Sequence, residues 1–150
     1  MKKVFQRATA SAVLVVIPLT VFSASHTAPA APRTPSPVGA KVYFISPKDG
    51  ETVKGPVKVV MDLSGMGVAP AGVDMAETGH HHLLVDAASL PLDKPIPSDD
   101  NHRHFGKGQT ETTVKLAPGK HTLQLVVGDK GHVPHEPAVV SDKVTITVTE

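Results

Sequence analysis

His121-Thr122-Leu123-Gln124-Leu125-Val126-Val127 is the stretch on which the fold reading turns. His121, Leu123, Leu125 and Val127 fall on one side of an extended chain, Thr122 and Gln124 on the other, and Pro118-Gly119 supplies a turn just before them. A two-residue period bounded by turn residues is the signature of a half-buried β-strand. Working outward, Val57 to Leu63 alternates in the same way, with Val57, Val59 and Met61 on one side. Thr110 to Leu116 places Thr112, Val114 and Leu116 together. Val42-Tyr43-Phe44-Ile45, His80 to Asp86 and Val139 to Val148 add further short β-favouring runs, and Pro47-Lys48-Asp49-Gly50 is a turn by composition. Ser64 to Gly79 reads as a glycine-rich loop. Ala87 to Gly108, with Pro91, Pro95 and Pro97, excludes a regular helix. No window has helical periodicity. The expectation is an all-β domain: an immunoglobulin-like antiparallel β-sandwich of about seven short strands.

The start of the chain has a different character. Lys2, Lys3 and Arg7 precede an apolar run from Ala8 to Phe22, followed by small residues at Ser23-Ala24-Ser25. This is the pattern of a secretory signal, and the apolar run is short for a membrane span. The expected organisation is a signal peptide over 1–25, a flexible Pro/Ala-rich linker over 26–40 and a sandwich domain over 41–150. The destination is periplasmic or secreted, with no stable membrane span in the mature form. There is no cysteine, so neither disulfides nor a lipid-anchoring thiol is available. The formal charge of +1 includes the export segment. From Lys41 onward, 11 basic face 14 acidic residues, a balance of −3. A mildly acidic domain, in a chain with one Tyr, four Phe and no Trp, lacks the basic stripe and stacking aromatics of a nucleic-acid binder.

Eight of the nine histidines fall between His80 and His135. They form three groups, His80-His81-His82, His102-Arg103-His104 and His132-Val133-Pro134-His135, with His121 apart. Imidazole is the commonest side-chain ligand for transition metals. In a strand, residues i and i+2 share a face, so His80 and His82 are neighbours. His81 lies with Leu83 and Val85, the side expected to face the core. His80 and His82 then look outward or toward a covering loop. His121 and His81 are read as structural, buried and hydrogen-bonded. His80, His82, His104, His132 and His135 are candidate metal ligands, and a fully hydrogen-bonded polar network is the competing reading. Met66 and Met75, in the glycine-rich loop, offer soft thioether sulfur, and Met66 joins the candidate set. Met61 belongs to the core by its strand face. Imidazole-rich sites suit Zn²⁺, Cu²⁺ and Ni²⁺, and the affinity order favours copper, with zinc as the alternative. His26 would become an N-terminal copper ligand if cleavage followed Ser25, at the cost of ordering a linker.

Several of these segments occur together in a recognisable order: Val42-Tyr43-Phe44-Ile45-Ser46-Pro47, Gly65 to Gly72, Gly79-His80-His81-His82-Leu83-Leu84, His104 to Glu111, Pro118 to Leu123, and Gly128-Asp129 through His132 and His135. From Lys41 to the end the chain resembles the bacterial family known as domain of unknown function 4399. The resemblance implies a small exported all-β domain with these histidines as family motifs, and implies no activity.

The residues give catalysis little support. There is no His-Glu-x-x-His, no Gly-x-Ser-x-Gly, and no helix after Gly106-Lys107-Gly108 to make a phosphate loop. Glu111 is a candidate to orient a histidine, or a solvated strand residue. The expectation is a periplasmic metal-binding protein, copper favoured, that binds, transfers or stores the ion, with another periplasmic protein as a conceivable partner. A metal-free ligand-binding or interaction module with a histidine-lined pocket is the alternative. A metal-dependent hydrolase or oxidase comes third.

Overall fold

A computed structural model describes residues 32–150. The expected signal peptide, His26 and the first part of the linker lie outside the described residues. Among these residues there are nine strands and no helix. They are β1 (Lys41–Ser46), β2 (Thr52–Lys54), β3 (Val57–Ser64), β4 (Gly67–Val68), β5 (Thr78–Val85), β6 (His102–His104), β7 (Glu111–Val114), β8 (Gly119–Gly128) and β9 (Val144–Thr149). One sheet has the order β1-β3-β7. The other has the order β2-β9-β8-β5-β4, with β6 also paired to β5. The all-β expectation holds. Three short strands lie outside the six runs read from sequence: β2, which pairs with β9, and β4 and β6, which form inside stretches read as loops, each as a partner for β5.

The alternation read from sequence is what joins the two sheets. Val57, Val59 and Met61 from β3, Val114 from β7, and Leu123, Leu125 and Val127 from β8 are all buried in one cluster with Val42, Phe44 and Ile146. The final strand is shorter than the run from Val139 to Val148 suggests. Val140 makes only an isolated bridge to Val126, and Ser141 turns inward so that its hydroxyl accepts from the Leu125 amide at 2.9 Å.

β5 is the exception to half-burial, since every residue from Gly79 to Val85 is buried. Leu83 and Val85 enter the main core, whereas Leu84 packs with Ile96 and Val126 in a second small cluster under the 87–101 segment. His80 and His82 lie on this second face. The side that faces water in many antiparallel sheets is here roofed by loops.

The stretch expected to be a flexible linker is fastened from Arg33 onward. The Arg33 guanidinium donates to the Glu136 carboxylate and to the carbonyls of Pro134 and His135. Thr34 Oγ1 donates to Asp129 at 2.6 Å, the Ser36 amide donates to the Glu136 carbonyl, and the Glu136 amide donates to the Thr34 carbonyl. Proline-rich composition disfavours helix, but it leaves an extended chain free to dock along an edge.

His121 is structural, as expected, though partly rather than fully buried. Its Nδ1 lies 2.7 Å from Asp86 and its Nε2 2.8 Å from the Ala117 carbonyl. Hydrogen bonding to Asp86 raises its pKa, with partial burial opposing. Both nitrogens face acceptors, so the imidazolium is favoured. The resulting stability is fully present below the unfolded value near 6.5 and is lost as pH rises through the raised folded value. His121→Ala should cost about 1 kcal/mol at pH 5.5, the modest size reflecting a partly solvated pair. Urea midpoints should converge with those of the parent at pH 9. A gap that is constant with pH would mean that the ring contributes packing alone.

Candidate metal centre

His80 and His82 sit at i and i+2 of β5 and project from its second face. The antiparallel register sets His104 of β6 directly opposite His82. On the other side of β5, His80 faces Gly128 of β8. His132 arrives from the loop that follows. One ligand nitrogen from each of His80, His82, His104 and His132 lies within 4.8 Å of all the others. His82 Nε2 is 3.0 Å from His80 Nε2, and His80 Nε2 is 3.2 Å from His132 Nδ1. His80 and His82 are fully buried, His132 is half-buried and His104 is exposed.

Backbone geometry makes this convergence possible. His132 adopts φ of 67°, a left-handed conformation uncommon for a side chain with a Cβ. The Asp129 carboxylate holds it there by accepting from the amides of Gly131 at 2.8 Å and Val133 at 3.0 Å, while the His132 amide donates to the Asp129 carbonyl. Thr34 braces the other carboxylate oxygen. Gly128 leaves the room that the His82 ring occupies, for a Cβ there would stand 2.9 Å from His82 Nε2. A Cβ on Gly106 would stand 2.2 Å from the His104 ring.

The electrostatics favour neutral imidazole. Burial, then the neighbouring rings of His104 and His132, pulls His80 down to about 4, with Asp129 opposing weakly. Burial and the three other rings pull His82 down to about 3. His104, although exposed as a residue, is lowered as well, by partial burial of its ring and by His132. Unprotonated imidazoles are the form that binds metal. Nδ1 of both His80 and His82 is buried with no hydrogen-bond partner among the described residues.

Two of the candidate ligands are elsewhere. His135 is fully buried, but its ring lies between the carbonyls of Thr78 at 3.2 Å and Val127 at 3.4 Å, on the far side of Gly79. It is three residues beyond His132, and the bridge between Gly128 and Pro134 folds the loop back so that the two rings diverge. Met66 is partly buried against the main core, and Met75 is exposed. His102, one pleat beyond His104, pairs with Asp99 at 2.8 Å instead. His81 faces the core as expected, yet neither of its ring nitrogens has a partner of good geometry.

A family model described as Domain of unknown function (DUF4399) matches residues 59–149. The chain belongs to this family. The DUF4399 match contains all four clustered histidines with Gly106, Gly128 and Asp129, whereas the Val42–Pro47 motif and the strap precede it. No curated protein and no solved structure shows a significant match to the chain.

The glycines and Asp129 are site residues that the histidine count does not reveal. A visible signal for two of them was the unbroken Gly128-Asp129 pair at the end of the most regular strand. Gly128→Ala should move the His82 ring, a displaceable group, and lower metal affinity by at least about tenfold while the fold survives. Gly79→Ala meets Val127 Cγ1 at 2.5 Å and the Gly128 carbonyl at 2.7 Å. It should instead destabilise the domain by roughly 1–3 kcal/mol through overpacking. Titration calorimetry and denaturant midpoints separate the two. Parent-like affinity in the Gly128 variant would show that His82 needs no such space.

Proposed function

We propose that this protein binds one transition-metal ion through His80, His82, His104 and His132, and that its role is to hold or hand over the ion. The observation carrying this reading is the convergence of four ring nitrogens from three separate segments. Two of these rings are buried and driven toward the neutral state by their surroundings. Four imidazoles fill a four-coordinate shell, as in structural sites, whereas a catalytic zinc keeps a position open for water. The exposed His104 and half-buried His132 mark the side from which an ion would enter. Affinity order taken alone ranks copper first, with zinc as the alternative. The residues of 1–25 support export to the periplasm or beyond, where the ion would be met or passed to another protein. Among the described residues no helix is long and apolar enough to cross a membrane. The order β1-β3-β7 against β2-β9-β8-β5, with β2 parallel to β9, supports an immunoglobulin-like reading of the sandwich.

A second reading has its own observation. The contacts from His80 to His82 and His132 are hydrogen bonds that a metal-free polar pocket would also make. Metal content separates the readings. Untagged protein purified from the exporting cell should carry close to one equivalent of metal. The pair His80→Ala and His82→Ala should abolish tight binding, and His135→Ala should keep it and lose only stability. Loss of stability without loss of metal binding in the double variant would favour the polar pocket.

A further inference from the structure

The spacing of the four rings carries information about the ion as well as about its presence. We infer that the centre is shaped for a tetrahedral Zn²⁺ and disfavours the tetragonal arrangement that Cu²⁺ prefers. This rests on the proposed metal-binding function and narrows it to one class of ion.

Four points can be equally spaced only as a tetrahedron, whereas a square has two long diagonals. The six ring-centroid separations are 4.8 Å for His80–His82, 4.9 Å for His80–His104, 5.0 Å for His80–His132, 5.0 Å for His82–His104, 5.8 Å for His82–His132 and 4.5 Å for His104–His132. With metal–nitrogen bonds of about 2.05 Å, a tetrahedral tetra-imidazole centre would separate its centroids by about 5.2 Å. A square-planar one would need four separations of about 4.5 Å and two diagonals of about 6.4 Å at the same bond length. However the rings are paired as opposites, no pairing gives two long diagonals. The two close nitrogen pairs, at 3.0 and 3.2 Å, fall between the roughly 2.9 Å edge of a square shell and the roughly 3.3 Å edge of a tetrahedral one, so the centroids carry the distinction.

The framework resists flattening. His80 and His82 are fixed by β5, which pairs with β8 on one side and with β6 on the other. The His132 backbone is held by Asp129, and its carbonyl accepts from the Ile96 amide at 2.9 Å. The ring of His104, on a three-residue strand, is exposed, and moving one ring cannot turn a tetrahedron into a square. Donor chemistry adds a second argument. Soft sulfur ligands select Cu⁺, whereas this group is four imidazoles in a chain without cysteine, and Met66 packs against the main core. Zn²⁺ has no geometric preference from its d electrons, so it accepts the shape offered.

Co²⁺ reports the geometry directly, because tetrahedral Co²⁺ absorbs visible light far more strongly than octahedral Co²⁺. The full mature chain, loaded with Co²⁺, should give intense visible bands that one equivalent of Zn²⁺ abolishes. His104→Ala should change the band pattern and admit added imidazole into the vacated position. Competition should find the usual preference for Cu²⁺ over Zn²⁺ reduced by about 100-fold or more relative to an unconstrained tetra-imidazole chelate. Bound Cu²⁺ should have the narrowed copper hyperfine splitting of a distorted tetrahedral site. If none of the three ions binds stoichiometrically, the metal-binding function itself fails. Tight binding with weak six-coordinate Co²⁺ bands, or an ordinary tetragonal Cu²⁺ spectrum with an undiminished preference for copper, would overturn the zinc assignment and leave metal binding intact.

Discussion

Everything around the site depends on β5 being buried on both faces. A strand with one solvated face would let His80 and His82 meet water, and their ring nitrogens would need nothing from the protein. Here one face of β5 packs into the main core, and the other is closed by β6, the 87–101 segment and the 129–135 loop. Buried polar atoms without partners are costly, at about 1–3 kcal/mol each. The arrangement nonetheless keeps Nδ1 of His80 and of His82 unpartnered and turns their Nε2 atoms toward each other. Two neutral imidazoles meeting nitrogen to nitrogen share a single proton at best. A Lewis acid held by the facing nitrogens would take a lone pair from each ring at once, which a shared proton cannot do, and this is the physical reason to prefer a metal over a polar network.

The backbone contributes as much to the centre as the ligands do. Ring convergence needs empty volume next to the rings, and Gly128 and Gly106 supply it by lacking a Cβ. It also needs one ligand delivered from a loop at a left-handed residue, and Asp129 organises that loop through two backbone amides. Asp129 is in turn held by Thr34, so the strap ahead of β1 reaches the ligand set through two hydrogen bonds. The Arg33 contacts to Pro134, His135 and Glu136 fasten the same loop from its other end.

What was legible in the sequence follows from range. Period-two alternation in Val57–Met61 and Leu123–Val127 is a local property and identified core strands correctly. The i, i+2 relation of His80 and His82 is local too. The pairing of β6 with β5 was not legible, because a three-residue strand in a proline-rich segment has too few residues to show a period. It depends instead on backbone groups left open along β5. The separation of His135 from His132 also escaped, since their spacing alone says nothing about how the loop folds back at Pro134. Met66 offers a soft sulfur by composition, and the structure packs the residue, partly buried, against the main core. Composition likewise reports intrinsic flexibility, whereas the docking of Arg33 and Thr34 is a tertiary property.

The histidines divide by what their nitrogens face, and the division carries more than their number. His121 faces a carboxylate and a carbonyl, and His102 faces a carboxylate. His135 lies between two carbonyls. These contacts tie separate segments together. His80, His82, His104 and His132 face one another. No carboxylate is hydrogen-bonded to their ring nitrogens among the described residues, and a proton placed on one ring repels a proton on the next. Environment thus sorts one residue type in two: rings whose nitrogens meet acceptors and fasten the fold, and four rings that meet one another, the set on which the metal-binding proposal rests.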